Sequence, residues 1–77
     1  MVSGLVLVRL VPGKDKQALA KIKEVKEVSH VSAVYGRWDL VVDLEAESAS
    51  KLGDIVVSKI RTIPGIYSTE SLITTAI

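Results

Sequence analysis

From Trp38 to Ala46 the chain alternates without a break: Trp38, Leu40, Val42, Leu44 and Ala46 share one parity, Asp39, Val41, Asp43 and Glu45 the other. Successive side chains of a strand point to opposite faces, so this stretch is a strand with one apolar and one more polar face. The apolar face needs a cover, and the polar face places Asp39 away from it. Just upstream, Val31–Tyr35 is a shorter apolar run, and the two runs are joined by Gly36 and Arg37. Two strand-like runs around a short glycine-containing segment predict a β-hairpin.

The remaining segments supply the cover. Val2–Val11 is nearly all apolar, with Val6, Val8 and Leu10 on one side and Leu5, Leu7 and Val11 on the other beside Arg9. A strand apolar on both faces is buried on both. Pro12-Gly13 marks a turn. Lys16–Val28 comes next with Ala18, Leu19, Ile22, Val25 and Val28 at helical spacing, and Asp15 is positioned as its N-cap. The lysines of this helix alternate with glutamates and no aromatic interleaves with them, so they form a solvated face and not a nucleic-acid patch. Ser29-His30 is a connection, with His30 a surface residue. Ser48 caps a second helix carrying Leu52, Ile55, Val56, Ile60 and Ile63, and Pro64-Gly65 stops it. The last strand runs from Ile66 to Ile77, with Ile66, Leu72 and Ala76 alternating with Tyr67, Ile73 and Ile77.

Strand, helix, strand, strand, helix, strand is two split βαβ units. This order predicts an α+β fold, the ferredoxin-like βαββαβ sandwich, as a single domain over residues 1–77. Right-handed crossovers put both helices on one face of a four-stranded antiparallel sheet. The other face, with Leu, Val and Ile on it, is then bare in one copy. A contiguous apolar face marks an interaction surface, and the expectation is a dimer with two sheets packed face to face.

Several chemistries are excluded. With no cysteine and one histidine, neither disulfides nor a zinc cluster can stabilise the chain. A net charge of +1 gives no electrostatic reason to bind nucleic acid or an anionic membrane. No apolar run approaches the ~20 residues of a membrane span, and no signal peptide precedes the first strand, which predicts a cytoplasmic protein. No nucleophile elbow or phosphate-binding glycine loop is present. Asp39, Asp43 and Glu45 share a strand face, but carboxylates so placed are ordinarily solvated, and no catalytic residue is assigned.

The residues Val-Pro-Gly after the first strand, Val34-Tyr35-Gly36-Arg37-Trp38-Asp39-Leu40 at the hairpin, and Ile63-Pro-Gly-Ile-Tyr-Ser-Thr-Glu-Ser71 after the second helix together resemble one known module. It is the C-terminal RAM (regulation of amino-acid metabolism) domain of the Lrp/AsnC, or feast/famine, transcriptional regulators. The resemblance spans essentially the whole chain, with Trp38 standing where the family usually has Tyr or Phe. Those regulators carry an N-terminal helix-turn-helix domain. This chain begins directly at the RAM strand, so it resembles a stand-alone RAM domain with no direct DNA binding expected.

The resemblance implies a homo-oligomer, dimers that close into larger rings, and an amino-acid effector held between dimers. By position the site residues correspond to Gly36, Asp39, Thr69 and Ser71. Their chemistry suits a free amino acid: Asp39 offers an anion for the ammonium, while backbone N–H groups at Gly36 and the hydroxyls of Thr69 and Ser71 offer donors for the carboxylate. Trp38 or Tyr35 would wall the pocket. The expectation is a non-enzymatic regulatory module that needs no cofactor or metal and co-assembles with full-length Lrp/AsnC regulators. The alternative is a small dimeric ferredoxin-like enzyme of the monooxygenase or isomerase type, which would need a His, Asp or Asn in a pocket between sheet and helices.

Overall fold

The computed structural model describes residues 2–73. β1 (Val2–Leu10) leads to α1 (Asp15–Lys23), β2 (Val28–Ala33), β3 (Leu40–Ala46), α2 (Ala49–Ile55) and β4 (Ile66–Ile73). The strands lie in the order β2-β3-β1-β4, with every pairing antiparallel. Each helix carries the chain past one intervening strand, which is the ferredoxin-like arrangement expected from the element order.

The alternation of β3 decides where the core lies. Leu40, Val42, Leu44 and Ala46 are buried together with Val6 and Val8 of β1, which stand opposite Val42 and Leu40 in register. Ala18 and Ile22 from α1, and Leu52 and Ile55 from α2, close over them. Beyond Ile55 the helix continues as a wider π-helical turn, Val56–Ile60, and the Arg61 N–H reaches back to the Val56 carbonyl at 2.8 Å. An extra residue in one turn rotates the residues after it, so Val56, Ile60 and Ile63 all stay inward while Val57 faces solvent. No polar or charged side chain is buried among the described residues.

The element ends differ from the sequence expectation, each for a local reason. α1 stops at Lys23 and not at Val28. Its last turn gives way to tighter bonds, Glu24 N–H to Lys21 C=O at 3.2 Å and Val25 N–H to Ile22 C=O at 3.1 Å. Val28, which is β-branched, joins β2 opposite Leu44 instead. Asp15 is the first helical residue and not the cap; Lys14 holds the cap position without a side-chain bond. Ser48 caps α2 as expected, its Oγ accepting the Lys51 N–H at 3.2 Å. His30 lies within β2 opposite Asp43 and not in a connection. The hairpin loop is Val34–Asp39, closed by the Val34 N–H donating to the Asp39 carbonyl at 3.0 Å, so β3 begins at Leu40.

In β4 the expected parity fails. Ile66 pairs with Leu10 and Ser68 with Arg9, which leaves Tyr67 as an extra residue in a bulge. One inserted residue exchanges the faces of everything beyond it. Ile66 therefore packs against the core, whereas Leu72, paired with Leu5, is on the opposite face. Residues 74–77 of the expected strand, Ala76 and Ile77 among them, lie outside the described residues.

The sheet face away from the helices carries an apolar centre. Leu5 (40% exposed) and Leu72 (48% exposed) are cross-strand partners, and Leu7 stands opposite Val41. Arg9, Asp43, Glu45 and Glu70 surround them on the same face, by register with these residues.

Candidate functional site

The three motifs singled out in the sequence meet at one end of the sheet. β1 ends there, the β2–β3 hairpin turns there and β4 begins there. Pro12-Gly13 and Pro64-Gly65 are matching turns: Lys14 N–H donates to Val11 C=O at 3.1 Å, and Ile66 N–H to Ile63 C=O at 3.3 Å. Proline second and a positive-φ glycine third (Gly13 +89°, Gly65 +99°) is what a type II turn requires. The two turns also touch. The Val11 N–H donates to the Gly65 carbonyl at 2.8 Å, and a Cβ on Gly65 would lie 3.1 Å from the Lys14 carbonyl oxygen.

Asp39 ties the hairpin to this end. Its N–H donates to the Val8 carbonyl at 2.9 Å, its carbonyl accepts from Val34, and its Oδ2 accepts the Leu10 N–H at 2.8 Å. The Leu10 N–H faces the β3 side of β1 beyond the last β1–β3 pair, Val8–Leu40, and the carboxylate takes that leftover donor. Oδ1 makes no hydrogen bond within the described residues.

Beside Asp39 an open cleft of about 670 Å³ is walled by Arg9, the Leu10–Gly13 turn, Asp15 and Tyr67. That is within the ~300–1,000 Å³ usual for small-molecule sites. Tyr67, bulged out of β4, is 70% exposed and gives the cleft an aromatic side. Arg9, Asp15 and Tyr67 were not among the expected site residues. The signal for Arg9 was present, since it is the one charge in an otherwise apolar strand. Tyr67 required knowing that a bulge comes after the Pro64-Gly65 turn.

Of the four expected site residues, one copy of the chain brings Gly36 and Asp39 into one loop and Thr69 and Ser71 onto one edge strand. Gly36 is exposed at φ +131°, a conformation that side-chain-bearing residues rarely adopt. Thr69 stands opposite Val8 and Ser71 opposite Val6, so both are on the helix-covered side of β4. With β1 between them, Asp39 and Thr69 are two strand spacings apart, roughly 10 Å. The hollow that Ser71 borders is about 10 Å³, the size of a single water. The two pairs do not converge on one pocket within a single copy. Tyr35 is fully exposed and Trp38 half-buried, and neither lines the cleft.

Comparison with known proteins shows what the chain as a whole is similar to. The family model described as the Lrp/AsnC ligand binding domain matches residues 3–76. An uncharacterized HTH-type transcriptional regulator from Pyrococcus furiosus is 30% identical over 74 residues, covering 92% of this chain and 49% of its own length. This chain thus spans about half the length of the curated relatives it matches. The crystal structure of FFRP-DM1 superposes with a TM-score of 0.90 at 31% identity, over 97% of this chain and 100% of that one. E. coli AsnC superposes with a TM-score of 0.88 at 30% identity, over 99% of this chain and 52% of that one.

Proposed function

Because the chain belongs to the Lrp/AsnC ligand-binding domain family, whose members are transcriptional regulators and not enzymes, we propose that it binds an amino acid or similar small effector at an interface between its own subunits. The observation that carries this reading is the solvent-facing half of Asp39. One carboxylate oxygen is fixed by Leu10, and the other is free beside an open cleft at the end of the sheet where all three motifs meet. A carboxylate already oriented by the backbone is a good partner for an ammonium group, since little ordering remains to be done on binding.

Gly36, Thr69 and Ser71 enter through assembly. Thr69 and Ser71 lie on an edge strand and Gly36 at a hairpin tip, positions that a neighbouring copy can reach. Backbone N–H groups at Gly36 and the two hydroxyls would then hold the effector carboxylate from across a subunit seam. The bare sheet face supports the first step of that assembly, because Leu5, Leu7, Val41 and Leu72 leave water only when a second sheet covers them. Dimers so formed close into rings, and mixed rings with full-length Lrp/AsnC regulators would carry the effector signal to DNA without this chain touching it. Such a role is a cytoplasmic one; among the described residues no helix is long and apolar enough to cross a membrane. A thermal-shift screen of the twenty amino acids tests the reading, with the transition rising in the unmodified protein and not in Asp39→Asn.

A further inference from the structure

The cleft holds more charge than an α-amino acid backbone needs. Arg9, Asp15 and Asp39 all contribute to its wall, beside the aromatic side of Tyr67. None of the three is ion-paired: among the described residues the salt bridges are Lys21–Glu24 and Lys59–Glu27, both elsewhere. Arg9 has Ser68 as its cross-strand neighbour, and Asp15 opens α1 with no basic residue bonded to it. The opening therefore presents two carboxylates and one guanidinium, a net charge of one negative unit.

From that charge set we infer that the effector is a basic amino acid of the lysine or ornithine class, an inference that rests on the reading of the cleft as an amino-acid site. Asp39 takes the α-ammonium with its free oxygen. Arg9 adds a charged donor for the α-carboxylate, which a guanidinium can hold by two bonds. Asp15 takes the side-chain ammonium, and the methylene chain between the two cationic ends lies along Tyr67. A neutral aliphatic amino acid would leave Asp15 without a partner, and an acidic one would set a second carboxylate against it. Asp15 also favours the N-terminus of α1 through the helix dipole, but an Asn at this exposed position keeps the polarity of the site and loses only the charge.

Titration calorimetry on the assembled protein with L-lysine, L-norleucine and cadaverine separates the contributions. Norleucine lacks the side-chain ammonium and cadaverine lacks the carboxylate. The expected result is lysine bound about tenfold or more tighter than either, as the loss of one charge-assisted contact implies. In Asp15→Asn the preference for lysine over norleucine should collapse. Norleucine binding as tightly as lysine would overturn the basic-ligand assignment and leave the amino-acid site standing. A lysine preference untouched by Asp15→Asn would also overturn it. Binding of none of the three, nor of any other amino acid, would remove both the assignment and the reading beneath it.

Discussion

The carboxylate of Asp39 accepts the backbone N–H of Leu10 at 2.8 Å, across 29 residues of sequence. A residue expected from the sequence to meet a ligand thus also secures the end of β1. Oδ2 is committed to the fold, and Oδ1, which makes no hydrogen bond among the described residues, is the oxygen proposed to meet the effector. Substitution at this position therefore has two separable effects. Asp39→Ala removes the acceptor and should lower stability by about 0.5–1.5 kcal/mol in urea unfolding. Asp39→Asn keeps an acceptor for Leu10, so its unfolding midpoint should stay close to wild type while its amino-acid response is lost. An Asn variant that responds normally would take the charge of Asp39 out of the site.

The paired turns make a prediction about glycine. A methyl group on Gly65 would sit 3.1 Å from both the Cβ and the carbonyl oxygen of Lys14, in a backbone held at φ +99°. Gly36 has the same need for positive φ but open space around it. Gly36→Ala should therefore cost the backbone strain alone, about 1 kcal/mol, and Gly65→Ala that strain plus a collision, at least about 2 kcal/mol. Urea midpoints of the two variants, at unchanged slope, check the order.

The bare sheet face predicts an assembly phenotype without a folding one. Leu5 is already 40% exposed in the single copy, so Leu5→Lys should leave the fold intact. Full burial of a leucine contributes about 1.5–3 kcal/mol, so covering the exposed part of Leu5 contributes roughly 1 kcal/mol, and a twofold interface counts the position twice; the dimer dissociation constant should rise roughly tenfold or more. Sedimentation velocity against concentration measures it. A variant that associates as the parent does would place the interface elsewhere.

Lys59 Nζ bonds both carboxylate oxygens of Glu27, at 3.1 and 3.0 Å, and holds the Glu27 carboxyl below its ordinary value of 4.5. The folded-state pKa lies below the unfolded one. The contribution of the pair is thus fully present above that ordinary value and is lost as pH falls through the lowered one. Comparing urea midpoints from about pH 7 down to about pH 3, the gap between wild type and Glu27→Gln should narrow on the acid side. A gap constant over that range would mean the pair contributes nothing that titrates.

Much of this architecture is written in local pattern. The alternation of β3 marks Leu40, Val42, Leu44 and Ala46 as the inner face, and the helical spacing of Ala18, Ile22, Leu52, Ile55 and Ile60 marks their cover. The two Pro-Gly turns are equally local, since proline and positive-φ glycine carry their own geometry. What the pattern does not carry is competition between distant segments. Val28 has helical spacing with Val25 but gains a strand partner in Leu44. Ile66 and Leu72 share parity, yet the bulge at Tyr67 sends them to opposite faces. The candidate site was legible to the same degree. Gly36 and Asp39 are marked by the hairpin, whereas Arg9, Asp15 and Tyr67 come together only because three chain segments end at one edge of the sheet.

The proposed amino-acid site is complete only in the assembled protein. Calorimetric titration of the assembled protein with each amino acid, repeated on Leu5→Lys and Asp39→Asn, addresses it most directly. The prediction is saturable binding of at least one amino acid to the parent, stabilising it by about 2.7 kcal/mol at a hundred times the Kd, and no binding to either variant. Full binding to a monomeric Leu5→Lys protein would contradict the subunit-interface site, and absence of binding by the assembled parent to every amino acid would contradict the effector function itself.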